Sequence, residues 1–142
     1  MIYSRDIRIE FNHCDPAGIV FFPRYFEMIN SMTENLFRDR LDYPFERIVM
    51  EERQSVPTVH LEIDFRAPSK LGEVIRFCLK VERIGRSSVD LCHRAVGDGI
   101  TRVEAHQRLV WIDRAGRPAP WPDRLRQRLE EELARGAKDE HA

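Results

Sequence analysis

The sequence predicts an α+β fold in which an antiparallel sheet of about five strands packs around one long helix. Two observations carry this prediction. A single long helical pattern follows the first strand, and the second half of the chain is strand after strand joined by short turns. Short connections of this kind pair neighbouring strands antiparallel, so we expect one mostly hairpin-connected sheet in a single domain, residues 1–142.

The chain opens with an alternating segment, Ser4 to Asn12. Ile7, Ile9 and Phe11 share one face and polar residues occupy the other, which is typical of a half-buried strand. Pro and Gly interrupt the alternation in residues 12–18, so this stretch is predicted to be a loop.

A helical period begins near Pro23, a residue that suits the first position of a helix because its missing N–H needs no partner there. The apolar residues recur at three- and four-residue steps: Phe22, Tyr25, Phe26, Met28, Ile29, Met32 and Leu36. This broad stripe predicts a helix of about four turns that is largely buried. A shorter helical piece is expected from Pro44 through Met50.

Four further strands are predicted in the second half, at residues 59–65, 74–84, 88–96 and 100–113. The Gly-Asp-Gly at 97–99 is a strong hairpin signal between the last two. Leu125, Leu129 and Leu133 then predict an amphipathic helix at about 122–136. Because a sheet wrapped on one helix leaves a free edge, we expect a homo-oligomer.

Composition excludes several function classes. The 142 residues carry 23 Lys and Arg against 24 Asp and Glu, a net charge of −1 that disfavours nucleic acid or an anionic membrane as partner. The longest apolar runs, Ile19–Phe22 among them, have four residues, far short of the ~20 that a membrane span requires. The first residues lack the features of a secretory signal, so a cytoplasmic location is expected.

The three cysteines, Cys14, Cys78 and Cys92, form no paired motif and predict no disulfide framework. Cys92 and His93 are adjacent and resemble metal ligands. Neighbouring residues of a strand point to opposite faces, however, so the two could hardly share one ion. The sequence therefore predicts no metal site.

The loop before the long helix is the strongest candidate for chemistry. It joins a carboxylate, Asp15, and a flexible Gly18 to the start of a buried helix. A helix N-terminus offers unpaired N–H groups and partial positive charge to a developing oxyanion. A carboxylate at an apolar cleft can attack a thioester carbonyl or activate water for that attack. The alternative is that Asp15 only caps the turn before Pro16.

Residues 13–25, His-Cys-Asp-Pro-Ala-Gly-Ile-Val-Phe-Phe-Pro-Arg-Tyr, closely resemble the signature of the 4-hydroxybenzoyl-CoA thioesterase family. The order of elements agrees as well, so the resemblance covers residues 5 to about 130. It implies a hotdog fold, an antiparallel sheet wrapped around a central helix. It further implies protomers that pair edge to edge as a dimer or a dimer of dimers, the homotetramer of the family.

The resemblance assigns roles to the loop residues. Asp15 falls on the family nucleophile or general base, and the backbone N–H of Phe22 on the group that polarises the thioester carbonyl. Gly18 would let the loop approach the substrate closely. His13 and Tyr25, at the two ends of the signature, are assigned to substrate binding, His13 as a group that could tune the charge of Asp15 or orient water.

Two further positions follow from the resemblance. Arg86, Ser87 and Ser88 fall in the turn that binds coenzyme A, although Ile84-Gly85 stands where two basic residues would be expected. Asn30 falls where the family carries an acid for the phenol of the substrate. Its alternative is an ordinary amide on the helix surface.

The expected function is thus hydrolysis of a compact, aromatic acyl-CoA, with coenzyme A as part of the substrate and no separate cofactor. Two alternatives stay open. One is a thioesterase for short aliphatic acyl-CoA or acyl-carrier protein, of the Tol-Pal-associated type, although that branch typically carries a His where Pro23 stands. The other is a non-catalytic acyl-CoA-binding module.

Overall fold

The computed structural model describes residues 2–141, with side chains through residue 138. Within these residues one five-stranded antiparallel sheet has the order β1-β3-β4-β5-β2. The elements are β1 Tyr3–Arg8, α1 Arg24–Asp39, β2 Thr58–Phe65, β3 Val74–Ile84, β4 Ser88–Gly97, β5 Ile100–Val110 and α2 Asp123–His141, with short helical turns at Phe11–His13 and Arg47–Glu51. The α+β prediction and the strand count are confirmed.

Most predicted boundaries lie close to the observed ones, and β3 matches its prediction exactly in extent. The first strand is shorter than predicted because the chain turns into a 3₁₀ helix at Phe11, whose side chain is 82% exposed. The prediction that Phe11 shares a buried face with Ile9 is therefore wrong. β5 ends at Val110, three residues before the predicted Asp113, where an isolated bridge from Ile112 to Ser55 takes over.

The core lies between the sheet and one face of α1. Alternate residues of the central strands point inward, and α1 contributes a stripe of buried side chains: Tyr25, Met28, Ile29, Met32, Thr33, Leu36 and Phe37. Phe22 and Phe26, which the apolar pattern predicts to be buried, are 56% and 42% exposed. They lie on a face that neither the sheet nor α2 covers within one protomer.

The C-terminal helix closes the other end of α1. Leu125 and Leu129 of α2 are fully buried in the core, and Glu132 contacts Arg40 just beyond α1 at 3.3 Å. The sequence predicted this helix to end near residue 136, and the structure extends it to His141. Neither described helix is long and apolar enough to cross a membrane.

Candidate active site

The loop that precedes α1 is a narrow hairpin. The Phe21 N–H donates to the carbonyl of His13 at 2.9 Å, and the Asp15 N–H donates to the carbonyl of Ile19 at 3.0 Å. Gly18 closes the turn by donating to the carbonyl of Asp15, with φ of +79°. A Cβ on Gly18 would meet nothing within 4 Å, so the positive φ, and not crowding within the protomer, favours glycine here.

Asp15 sits half-buried at the tip of this hairpin. Its Oδ1 accepts the Ala17 N–H at 2.9 Å, an Asx turn of the kind that Asp residues commonly form before proline. No hydrogen bond or ion pair to the second oxygen, Oδ2, is seen among the described residues. The carboxylate is thus oriented by one oxygen and keeps the other for a substrate or water.

The first amides of α1 are mostly used within the turn that starts it. Arg24, Tyr25 and Phe26 donate their N–H groups to the carbonyls three residues earlier, at 2.9–3.1 Å. Pro23 has no N–H. In the described part of the chain the N–H of Phe22 meets no acceptor, so it is the amide left for an external oxygen at the positive end of the helix.

A second loop, residues 68–73, supports the hairpin from behind. Val20 donates to the Ser69 carbonyl at 2.9 Å, and Leu71 donates to the Gly18 carbonyl at 3.0 Å. The Tyr25 hydroxyl donates to Ser69 Oγ at 3.0 Å, and burial raises the pKa of Tyr25. The hydroxyl assigned to substrate binding is therefore already engaged by the supporting loop.

A buried ion pair anchors this supporting loop. Arg102, on β5, is nearly inaccessible and donates to both carboxylate oxygens of Glu73 at 3.0 and 2.9 Å. It also donates to the carbonyls of Pro68 and Gly97. The Arg102 hydrogen bonds lower the pKa of Glu73 to about 2. The sequence did not predict this pair, because a charged residue in a strand pattern is expected to be exposed unless its partner across the fold is known.

An apolar cavity of about 300 Å³ opens beside Phe22. The two loops, the start of α1 and the end of β2 supply its walls, which are apolar apart from Arg66: Ile19, Val20, Phe22, Tyr25, Phe65, Arg66, Ala67 and Pro68. The Phe65 ring lies 6.0 Å from that of Phe22 and 5.8 Å from that of Tyr25. Asp15 is not among its lining residues.

His13 lies half-buried on the other side of the hairpin and helps to line a polar cavity of about 430 Å³, together with Arg5, Arg8 and Arg24. Its Nδ1 accepts the Glu10 N–H at 2.9 Å. In the neutral ring this leaves the proton on Nε2. The described contacts of His13 fix the start of the loop and include none with Asp15.

Asn30 is exposed on α1, on the same face as Phe22 and Phe26, about two turns beyond Phe22 and one turn beyond Phe26. It lines a largely apolar cavity of about 270 Å³ together with Thr33 and Thr58. This cavity and the one beside Phe22 share no residue. Phe22 and Asn30 thus lie on one helix face but line separate cavities.

A polar chain runs through the core beneath the Asn30 cavity. Thr33 Oγ1 and His93 Nε2 both contact Gln107 Oε1, at 2.8 and 2.7 Å, and Gln107 Nε2 donates to Thr58 Oγ1 at 2.8 Å. His93 is 1% exposed and its Nδ1 has no described partner. Burial lowers the pKa of His93 to about 4, so the ring is neutral near pH 7.

The turn between β3 and β4 contains Arg86, Ser87 and Ser88. Its carbonyls accept from the C-terminal segment: Trp121 N–H to Arg86 at 3.2 Å, Trp111 N–H to Ser87 at 2.7 Å, and Trp121 Nε1 to Ser88 at 3.0 Å. The Arg86 side chain is exposed with no described ion-pair partner.

Gly85 begins this turn at a place where the resembled family would carry a basic residue. A Cβ at Gly85 would come within 2.4 Å of Ser88 Oγ. Any side chain there would displace the Ser88 hydroxyl, which gives a physical reason for the departure.

Asp15 and the Arg86 turn lie at opposite ends of β3. The Asp15 hairpin contacts residues 69–71, just before β3 begins, and Arg86 follows its end. The 11 residues of β3 span about 36 Å at ~3.3 Å per residue. The two groups that the sequence assigns to one site are therefore far apart within one protomer.

Known proteins share both sequence and fold with this chain. A 4-hydroxybenzoyl-CoA thioesterase from Pseudomonas sp. (strain CBS-3) is 34% identical over 76 residues, 51% of this chain and 54% of that protein. The chain thus spans about half the length of the curated relative it matches.

Solved structures match over nearly the whole chain. A 1,4-dihydroxy-2-naphthoyl-CoA thioesterase from Synechocystis matches with a TM-score of 0.85 and 18% identity, over 92% of this chain and 97% of that one. A gentisyl-coenzyme A thioesterase matches with a TM-score of 0.80 and 22% identity, over 87% and 99%. These likenesses show that the fold is the hotdog fold, as the resemblance implied.

A family profile described as the Thioesterase-like superfamily matches residues 9–129, which include the Asp15 hairpin, all of α1 and the strands β2–β5. The chain belongs to the thioesterase-like superfamily.

Proposed function

We propose that the chain is a thioesterase that hydrolyses a compact, aromatic acyl-CoA to the free acid and coenzyme A. The names of its relatives support the reaction class, since they include thioesterases for 4-hydroxybenzoyl-, 1,4-dihydroxy-2-naphthoyl- and gentisyl-CoA. All three of these acyl groups are hydroxylated aromatic acids attached to coenzyme A.

One observation carries the proposal: the Asp15 hairpin presents a carboxylate oxygen without a described partner and ends at the unpaired N–H of Phe22. The Phe22 N–H would donate a hydrogen bond to the thioester oxygen and stabilise the negative charge that develops there. Asp15 would either attack the carbonyl carbon, expelling the coenzyme A thiolate, or take a proton from the water that attacks it. On the first route, water then hydrolyses the resulting acyl–Asp15 anhydride, so both routes end in the free acid and the thiol.

The cavity beside Phe22 supports the choice of acyl group. Aromatic and aliphatic side chains line it, and its volume of about 300 Å³ lies at the small end of the range for small-molecule sites. An aromatic ring can pack against Phe22 and Phe65 there. A long aliphatic chain would extend out of a cavity of this size.

A second copy of the chain completes the proposed site. β2 is an edge strand, and the side chains of Val59 and Phe65 are about half exposed. Two such edges paired antiparallel about a two-fold axis would place the Phe65 end of one strand beside the Thr58 end of the other. Phe65 lies at the Asp15 end of the sheet and Thr58 at the Arg86 end, so pairing brings Asp15 of one protomer toward the Arg86 turn of its partner.

The test replaces Asp15 by asparagine, which keeps the oxygen that accepts the Ala17 N–H but removes the charge. We expect kcat/KM for release of coenzyme A from 4-hydroxybenzoyl-CoA to fall at least ~100-fold, the scale of general acid–base assistance, with unchanged thermal stability. Asp113→Asn is the matched control, because Asp113 forms the same type of turn with Ala115 at 2.9 Å.

The outcomes separate the alternatives. Near-wild-type turnover by a folded Asp15→Asn protein would overturn the catalytic role of Asp15. A wild type that binds acyl-CoA without releasing the thiol would be the non-catalytic module. Faster turnover of short aliphatic acyl-CoA than of aromatic ones would favour the Tol-Pal-associated type.

A further inference from the structure

Three side chains of different chemistry converge on the outer face of the sheet, the face opposite α1. They are Glu82 of β3, Cys92 of β4 and His106 of β5. The carboxylate oxygen, thiol sulfur and ring nitrogen that each can offer all lie within 4.8 Å of one another. They are 10 and 14 residues apart in the chain, so only the strand pairing brings them together.

The sheet register produces this convergence. Cys92 and His106 are directly opposite each other across β4 and β5. In β3, Val81 pairs with Leu91 and Arg83 with Asp90, so Glu82 is the additional residue of a β-bulge. Val81 is buried and Glu82 is exposed, so the Glu82 carboxylate lies on the outer face of the sheet with Cys92 and His106.

We propose that Glu82, Cys92 and His106 form a binding site for a zinc-class divalent transition metal. Thiolate and imidazole ligands select Zn²⁺ and its neighbours over Ca²⁺ and Mg²⁺, which prefer oxygen alone. With bonds of roughly 2.0–2.3 Å, a tetrahedral site separates its donors by roughly 3.3–3.7 Å. Glu82 Oε1 and His106 Nδ1 are already 3.6 Å apart.

The donor atoms have room to move from their present separations to those of a tetrahedral site. The side chains of Glu82 and His106 are 36% and 57% exposed and can rotate, whereas Cys92 is half-buried and fixed. Glu82 and His106 border a surface depression of about 210 Å³ that also contains Glu62, the residue opposite His106 on β2. Three protein ligands leave a fourth position for water, and binding releases the thiol proton to solvent.

This site differs from the metal pair that the sequence suggests. Cys92 and His93 do point to opposite faces, with His93 in the core, so those two residues do not share an ion. The partner of Cys92 comes from the next strand, which no motif spacing reveals. The ion would join β3, β4 and β5, the three central strands of the sheet.

The test uses Co²⁺, whose spectrum reports its ligands, on protein that has been stripped of metal by a chelator. We expect a near-ultraviolet thiolate-to-cobalt charge-transfer band together with visible bands of tetrahedral intensity. Added Zn²⁺ should remove these bands, because N, O and S sites bind zinc more tightly than cobalt. The melting temperature should rise on addition of Zn²⁺, since the ligand binds only the folded sheet.

Variants identify the ligands. Cys92→Ser should abolish the charge-transfer band, and Glu82→Gln and His106→Ala should each weaken Co²⁺ binding at least about tenfold. Cys78→Ser is the matched control, because Cys78 is also half-buried on β3 but its charged neighbours are Arg76, Arg94 and Asp6. This variant should keep the band.

Three results would overturn the proposal: no band in the wild type, a band that persists in Cys92→Ser, or a band lost in Cys78→Ser. Circular dichroism of each variant shows whether it is folded, and Glu82→Gln, an exposed and isosteric change, provides a second variant if Cys92→Ser unfolds. The readout is spectroscopic, so it is independent of the thioesterase proposal.

Discussion

The polar groups at the two ends of β3 differ in how many of them have hydrogen-bond partners within the protomer. At the end where β3 begins, the Asp15 hairpin leaves one carboxylate oxygen and the Phe22 N–H without described partners. The side chains of Phe21 and Phe22 in the same hairpin are exposed. At the end where β3 stops, every carbonyl of residues 86–88 accepts a hydrogen bond from a buried tryptophan.

This difference indicates that the Asp15 end and the Arg86 end of β3 have different roles. The incomplete end has the groups to which we assign the chemistry, and the complete end is a hydrogen-bonded turn with an exposed Arg86 side chain. A group left unsatisfied at the surface costs little when water can reach it, so the first end can stay incomplete until a substrate or a second protomer covers it. Substitutions at each end of β3, and in the core between the two ends, test this difference.

The largest effect is expected from the ion pair that supports the incomplete end. Arg102→Leu leaves the Glu73 carboxylate without its partner and releases the carbonyls of Pro68 and Gly97. We expect a loss of about 3 kcal/mol in the free energy of unfolding, measured by urea denaturation, because the change removes every hydrogen bond of a buried guanidinium at once. Arg108→Leu, which removes an exposed pair with Asp90, should cost about 1 kcal/mol or less. Equal losses would contradict the support role.

Low pH should reduce the free energy of unfolding through His93, which lies in the core between the two ends of β3. The folded pKa of His93 is about 4 and its ordinary value is 6.5, so the unfolded chain binds a proton that the folded one does not over this range. Stability should therefore be constant above pH 6.5 and fall as the pH drops toward 4, by about 3 kcal/mol.

His93→Gln keeps a donor toward Gln107 and should remove most of this slope between pH 6.5 and 5, whereas His60→Gln, at an exposed position, should retain it. The measurement is the free energy of unfolding at several pH values. A slope that survives in His93→Gln would show that another group is responsible.

The complete end should contribute to binding more than to turnover. Arg86→Ala should raise KM for acyl-CoA about ten- to hundredfold, on the scale of one hydrogen bond to a charged group, about 1.5–3 kcal/mol, and leave kcat nearly unchanged. With the matching acyl-pantetheine, which lacks the nucleotide phosphates, KM should not change. Equal effects on both substrates would exclude Arg86 from phosphate binding.

The smallest effect concerns the acyl group. Asn30 offers a neutral amide where a carboxylate would form a charge-assisted hydrogen bond with a phenol. One neutral hydrogen bond contributes about 1 kcal/mol, so benzoyl-CoA should be hydrolysed within about tenfold of 4-hydroxybenzoyl-CoA. Asn30→Asp should increase the preference for the hydroxylated substrate. A thousandfold preference in the wild type would refute the pocket assignment.

Much of the fold was predictable because it depends on local pattern. The alternation of residues 74–84 gave β3 its full extent, and the three- and four-residue spacing after Pro23 gave α1. The pattern could not show that Phe22 and Phe26 stay exposed, because it reports which side chains share a face but not whether anything covers that face.

The candidate site was predictable only in part for the same reason. The signature loop identified Asp15, but the hydrogen bond that Ala17 donates to it depends on backbone geometry that the signature does not specify. The Arg102–Glu73 pair joins residues 29 positions apart, and the Glu82–Cys92–His106 cluster joins three strands. Contacts of this kind arise from strand register, which a sequence does not display one residue at a time.

The strand order also has a consequence for folding kinetics. β3, β4 and β5 are consecutive hairpins with short loops, whereas β2 must pair with β5 across two intervening strands of sequence, and β1 joins β3 across α1. Closing long loops is entropically expensive, so the central meander should form first and the two outer strands last. The amides of β1 and β2 should accordingly exchange their hydrogens with solvent sooner than those of β4, so the strand proposed to meet a second protomer is among the last to become ordered.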